Sequence, residues 1–378
     1  MTKTSTITPK PRIAWIDLLE TIAIFSVVLC HCTAHIANMP LSEANVGFYL
    51  HYALRSITAV CVPLFFFANG YLLLTRPFDL KRHFCKIIKF IFIAVFWYAL
   101  TLAFLVFLHR DQLAANGFSN TIASLKYGVT HLWYLGALVC LYIFFPLLKV
   151  AYDHHRQAFI YFTLICAIIT FGNTLLNNFM TFYSSFIDHQ GIIYTDTNFL
   201  NIFNPFRGMY GYTFVYFCLG GVVAYYFDKI KAIARQKRNL IALCGLILGW
   251  LGLFGLGLMY SKASGQIWDN IWYGYDTIFA LITTISIFFL SLNCRQDNII
   301  FRTISRNTLG IYLIHMLIIY ALTTWFNGFI MYYTSPLSSV QFIVSFIGVI
   351  IYTIIILLIS LGVTVLIKKL PLIKNIVS

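Results

Sequence analysis

Charge is what this sequence has least of. Only 10% of its 378 residues are charged, against about 25% in an ordinary soluble domain. Hydrophobic residues make up 60%, and the mean hydropathy is +0.82. These values exclude a soluble globular chain and point to a polytopic membrane protein. Acidic groups are the scarcest, with 12 Asp and Glu against 26 Lys and Arg, for a net charge of +14. In a soluble chain such an excess would suggest nucleic acid. Here the distribution of the basic residues ties it to topology, and no nucleic-acid partner is expected. Paired cysteine motifs are missing as well. The nine cysteines lie mostly inside apolar runs, form no CxxC pair and leave an odd count. Neither a disulfide framework nor a zinc site is implied, and no metal is predicted. No internal repeat and no break in composition marks a separate soluble domain. The polar segment 1–11 lacks a cleavage motif, so the first apolar run is expected to remain as a span.

What is present is a series of apolar segments, at about 14–37, 53–75, 87–108, 132–151, 157–177, 209–227, 239–260, 271–292, 303–326 and 339–367. Each is long enough to cross a bilayer. The expected fold is therefore a single all-α integral-membrane domain over 1–378, a bundle of about ten transmembrane helices surrounded by membrane lipid. Most basic residues fall in alternate loops. Arg12, the run from Arg76 to Lys89, Lys149 and Arg156, the run from Lys229 to Arg238, Arg295 to Arg306, and Lys368 to Lys374 share one side. The positive-inside rule then makes both termini cytoplasmic, with 1–13 and 368–378 as tails.

The first span breaks the apolar rule. RIAWIDLLETIAIFSVVLCHCTAHIAN (12–38) carries Asp17, Glu20, His31 and His35. At about 100° per residue, Glu20 and His31 lie about 20° apart, and Asp17 and His35 within about 40° of His31. Ionisable groups inside a membrane are costly and mark functional paths. Such a stripe fits either catalysis or the proton relay of a transporter or flippase. The nulls are a core histidine bridging two helices for His31 and an interfacial histidine for His35. Glu20, three turns below His31, is expected to pair with a cation from another helix. The long outer loop at about 178–208 is rich in Asn, Asp and aromatics, which suits either sugar recognition or an interfacial aromatic belt.

Five stretches carry a resemblance: WIDLLETIAIFSVVLCH (15–31), VPLFFFANGYLL (62–73), HLWYLGALVCLYIFFPLL (131–148), YFCLGGVVAYY (216–226) and SRNTLGIYLIHMLII (305–319). Together they resemble the membrane acyltransferase-3 family, in the layout of stand-alone members that acetylate surface glycans. In that family the first helix carries Arg, ten residues, then His. Here the His is His31, and Glu20 occupies the place of the Arg. Arg12, Arg55 or a cytoplasmic-loop lysine could supply the missing charge; the alternative is a member altered in activity.

The resemblance implies an O-acyltransferase of the bacterial inner membrane. Its acyl donor would be acetyl-CoA and its acceptor a lipid-linked or surface glycan. Such chemistry needs a base for the acceptor hydroxyl, for which His31 is the candidate and His35 the second. Arg76, Lys81, Arg82, Lys86 and Lys89 could hold the phosphates of the coenzyme, although positive-inside topology explains them equally. Arg55 could orient an acceptor phosphate or pair with Glu43. His131 and Trp133 could bind sugar or anchor the helix at the interface. Tyr312 and His315 sit one turn apart as a pore-side or structural pair. Pro63 and Gly70 predict a kinked helix, with Asn69 satisfying freed backbone groups. Ser305 or Asn307 is expected to cap the ninth span.

Overall fold

The structure, a computed structural model, describes residues 12–37, 39–111, 117–195, 197–206, 210–337, 341–371 and 373–378. Most of the expected N-terminal tail, Leu372 of the C-terminal one, and Asp196, Arg207 and Gly208 of the long outer loop lie outside the described residues. The described residues are predominantly helical. In order come α1 (Ala14–Cys32), α2 (Val46–Ile57), α3 (Cys61–Leu74), α4 (Leu80–Leu108), α5 (Phe118–Leu125), α6 (Trp133–His154), α7 (Arg156–Phe182) and α8 (Gly211–Tyr225). They are followed by α9 (Phe227–Ala232), α10 (Arg235–Ser264), α11 (Ile278–Ser291), α12 (Ile299–Ser305), α13 (Thr308–Thr334) and α14 (Phe342–Lys369). Among the described residues the one β feature is an isolated bridge between Pro40 and Gln266.

Among the described residues each of the ten expected apolar segments contains a helix, although 271–277 forms turns before α11 begins at Ile278. Eight runs are long and apolar enough to cross a membrane, and α8 and α11, with 15 and 14 residues, fall short. At about 1.5 Å per residue, α8 rises only about 22 Å. Its burial explains how a short helix is tolerated, since nearly every residue from Gly211 to Gly221 is enclosed by neighbours. Outer and inner helices differ accordingly. The apolar window of α4 is 22% buried, whereas that of the α2–α3 run is 72% buried. Apolar residues on α4, α7, α10 and α14 therefore face outward, as lipid contact requires. At the centre, α1 packs against α3, α11, α12, α13 and α14.

The second span departs from a simple kink. Helix α2 passes through a 3-10 turn at Thr58–Val60 into α3. Pro63 lies in the first turn of α3, where a missing N–H costs little. Its ring disfavours a helical carbonyl four residues back, at Ala59, which places the break before the proline rather than after it. Asn69 Nδ2 donates to the Phe65 carbonyl at 2.9 Å, as expected. At the start of α13, Asn307 holds the N-cap position, but its amide donates to Thr303 O at 2.7 Å rather than capping, and the Ser305 hydroxyl turns to α1. The C-terminal residues fold back onto the bundle. Val377 is fully buried, and Trp97 Nε1 donates to Ile376 O at 2.7 Å.

The closest helix contact joins α3 to α8. A Cβ on Gly70 would sit 1.8 Å from Phe217 O, and one on Gly220 would sit 2.1 Å from Phe67 O. Backbone meets backbone at both points, so no side chain can yield. Gly70→Ala is expected to cost about 1–3 kcal/mol or more, seen as a lower melting temperature or loss of the monodisperse peak in detergent. Gly255→Ala, with nothing within 4 Å of its Cβ, is expected to leave both unchanged.

Candidate active site

Helix α1 ends inside the protein, where its last carbonyls need partners. The guanidinium of Arg55, on α2, supplies them. Its Nη1 donates to Cys30 O at 2.6 Å and reaches Thr33 Oγ1 at 3.3 Å. Its Nη2 donates to Asp269 Oδ1 at 2.8 Å. A cation at a helix C-terminus is favoured by the helix dipole, and this one fixes the turn that carries His31. The expected pairing of Arg55 with Glu43 is not formed. Glu43 is exposed, whereas Arg55 points into the bundle. Asp269 Oδ1 also accepts from the backbone N–H groups of Ile271 and Trp272. Burial alone would push its carboxyl up, but Arg55 and these N–H groups outweigh burial and hold it below the ordinary carboxylate value.

Three histidines converge beyond this clamp. The His31 ring lies 5.1 Å from that of His315 on α13 and 6.4 Å from that of His131 in the 3-10 segment Lys126–Leu132. His131 and His315 are 5.8 Å apart. His315 Nδ1 is 2.6 Å from Tyr312 O, and His131 Nδ1 is 3.3 Å from Gly128 O. A carbonyl only accepts, so each Nδ1 carries the proton and each neutral ring keeps a lone pair on Nε2. Both Nε2 atoms are buried without a protein partner. Among the described residues, no group of three or more His, Cys, Asp or Glu is arranged to hold a metal ion.

Two cavities meet here. One of about 160 Å³ is lined by His31, Arg55, His131, Trp133 and Asp269. The other, about 180 Å³, is lined by Glu20, Asn69, Lys86, Tyr142 and Thr308. Val27, Val62, Tyr134 and Tyr312 line both. The Tyr134 and Tyr312 rings meet edge to face at 5.3 Å, and the Tyr312 hydroxyl donates to His131 O. The cavities thus lie end to end with a pair of tyrosines between them. A family comparison bears on this arrangement. The family model described as an acyltransferase domain matches residues 13–367, nearly the whole chain. The chain belongs to the acyltransferase-3 family. No curated protein and no solved structure matches it.

The site residues expected of such an acyltransferase divide between the two cavities. Arg55, His131 and Trp133 join His31, Tyr312 lies at the boundary, and His315 stands behind His31. Trp133 is stacked flat on Tyr210 at 5.0 Å and edge-on to Trp272 at 5.7 Å. Glu20 belongs to the other cavity. Instead of meeting a cation, its carboxylate accepts from Ser305 Oγ at 2.6 Å. The same hydroxyl lies 2.7 Å from Asp17, which pairs with Arg12. One hydroxyl proton serves one carboxylate at a time, so Ser305 couples the two acids. Arg12 Nη2 also donates to that hydroxyl at 3.0 Å, so the guanidinium serves Asp17 and Ser305 together.

Of the five basic loop residues, only Lys86 lines the cavity. Its Nζ is 3.2 Å from the Tyr142 hydroxyl and 4.8 Å from the centre of that ring. Arg76 is within electrostatic reach of Glu20 and Lys86. Lys81, Arg82 and Lys89 are exposed. His35 does not continue the helix. The helix stops at Cys32, because Thr33 leaves helical geometry, and His35 sits in a one-turn 3-10 segment outside the cavity lining. Sequence reasoning missed Asp269, Tyr134 and Tyr142. For Asp269 there was a signal, an acid between Trp268 and Trp272 beside a span. Nothing in the sequence distinguished the two tyrosines from their many neighbours.

Removing one partner of a buried ion pair is costly, while replacing both with apolar groups is often neutral. Asp269→Ala is therefore expected to lower stability by about 3 kcal/mol, and Arg55→Met with Asp269→Leu to recover much of that in thermal unfolding. A second prediction concerns pH. Burial, with Arg55 adding to it, lowers the His35 pKa to about 4 from 6.5. Between those values the unfolded chain binds a proton that the folded chain refuses, so stability falls as pH drops through this window. His35→Gln is expected to flatten that fall in melting curves from pH 7 to pH 4.

Proposed function

We propose that this acyltransferase moves an acetyl group from acetyl-CoA to a hydroxyl of a lipid-linked or exported surface glycan. The setting is the bacterial inner membrane, with both termini cytoplasmic. The observation that carries this reading is the adjoining pair of cavities, one lined by Lys86 and Glu20 and one holding His31. A cytosolic anionic donor and an acceptor on the far face need such a path. In this reading Lys86, in that cavity, and Arg76, within electrostatic reach of it, hold the coenzyme phosphates, and Tyr134 and Tyr312 part to admit the thioester.

In the His31 cavity the imidazole takes the proton of the acceptor hydroxyl as its oxygen attacks the thioester carbonyl. Negative charge then develops on the carbonyl oxygen. Arg55 Nε is a buried N–H with no partner in the protein, in the wall of the same cavity, and it supplies the donor such an oxyanion requires. Collapse of the tetrahedral species breaks the carbon–sulfur bond. The coenzyme leaves as its thiolate and accepts the proton held by His31. Neutral Nε2 atoms on His131 and His315 accept hydrogen bonds and stabilise the imidazolium between these steps.

The test is transfer of radiolabelled acetyl from acetyl-CoA to glycan in membranes expressing the protein. His31→Ala is expected to lower labelling by about 100-fold or more. Arg55→Lys, which keeps charge but loses the planar fork, is expected to lower it as well. Glu20→Gln retains an acceptor for Ser305 and is expected to keep most activity. Full labelling by His31→Ala would remove that residue from the chemistry.

A further inference from the structure

Beyond Trp272 lies a third cavity, of about 450 Å³, within the usual range of about 300–1,000 Å³ for small-molecule sites. Trp272 lines both this cavity and that of His31. One wall is amides, with Asn177 and Asn178 from α7 and Asn198 and Asn201 from the segment that follows. The facing wall is aromatic. Trp268 stacks on Tyr260 at 4.7 Å with their planes 12° apart.

Two polar atoms in these walls are unspent. Asn177 is 3% exposed; its Nδ2 donates to Thr195 O at 3.2 Å, while its Oδ1 is buried with no partner. Trp268 Nε1 is likewise buried and unpartnered. Leaving such groups unsatisfied costs about 1–3 kcal/mol each. One accepts and the other donates, and a hydroxyl-bearing ligand can do both. Trp268 is sandwiched between Tyr260 and Tyr273, so the aromatic surface left for the apolar face of a sugar ring is that of Trp272 and Tyr273, both exposed. Charge narrows the class further. Among the described residues the lining holds no Lys, Arg or His, and its one acid, Asp276, accepts from Thr174 at 2.9 Å. Among these described residues a carboxylate or phosphate finds no cation.

We propose that this cavity is the acceptor subsite, binding uncharged sugar residues of the glycan and passing a hydroxyl beside Trp272 to His31. The assignment rests on the acyl-transfer reading above, and it narrows the acceptor to a chain with neutral, hydroxylated or N-acetylated units at the acylation point.

Equilibrium binding to the purified full-length protein in lipid nanodiscs tests it, with fluorescently tagged maltotriose and chitotriose as neutral probes and trigalacturonate as the acidic one. Saturable binding of a neutral probe is expected, at least tenfold tighter than the acidic one. Asn177→Leu and Trp272→Ala should each weaken it tenfold or more; Trp272 is partly exposed, so its loss spares the fold if Asn177→Leu does not. Failure of both neutral probes to bind, equal binding of trigalacturonate, or unchanged affinity in both variants would overturn the proposal. Saturable binding by a protein that transfers no acetyl would contradict the reaction and spare the cavity. Transfer with an unchanged acceptor KM in Trp272→Ala would do the reverse.

Discussion

The Arg55 guanidinium is the interaction on which the site depends. It joins the end of α1 to α2 and to a turn more than 200 residues away, at Asp269. A charge this deeply enclosed is tolerated only when its hydrogen bonds are nearly all met. Its partners are therefore fixed, and with them the position of His31 one residue beyond Cys30. Its Nε–H has no protein partner, and Arg55 lines the cavity. One side chain thus serves as helix cap, long-range tether and candidate oxyanion donor, and the three roles need the same geometry.

The two carboxylates of α1 do different work at the other end. Asp17 is neutralised by Arg12, and Ser305 bridges Asp17 to Glu20. This network ties α1 to the end of α12, close to where α13 begins. Glu20 stands where the family carries an Arg and lines the cavity that also holds Lys86. The cation in that chamber therefore comes from α4 rather than α1. A lysine is a flexible point charge without the rigid fork of an arginine, so donor contacts in this member are expected to rest on charge more than on bidentate geometry.

Much of the fold was legible because hydrophobic segments report spans almost without tertiary context. Boundaries followed local chemistry less well. Pro63 indicated a break, but its position at Thr58–Val60 follows from the clash of its ring with the preceding turn. His31 was readable as an ionisable group in an apolar run, and His131, Trp133, Tyr312 and His315 by motif. His35 was misplaced by extending the helical period past Thr33, where the backbone leaves the helix. The Arg55–Asp269 pair was beyond sequence reasoning, because complementary charges separated by 214 residues carry no local periodicity. Tyr134, the partner of Tyr312 between the cavities, was equally hidden among 24 tyrosines.

The central claim is that donor and acceptor enter from opposite faces and meet at His31. Sealed vesicles of known orientation, containing the full-length protein and its host glycan, test it directly. With radiolabelled acetyl-CoA supplied only to the face bearing Arg76 and Lys86, label is predicted on glycan at the opposite face. Labelling that required acetyl-CoA on the Trp133 and Trp272 face would contradict the account.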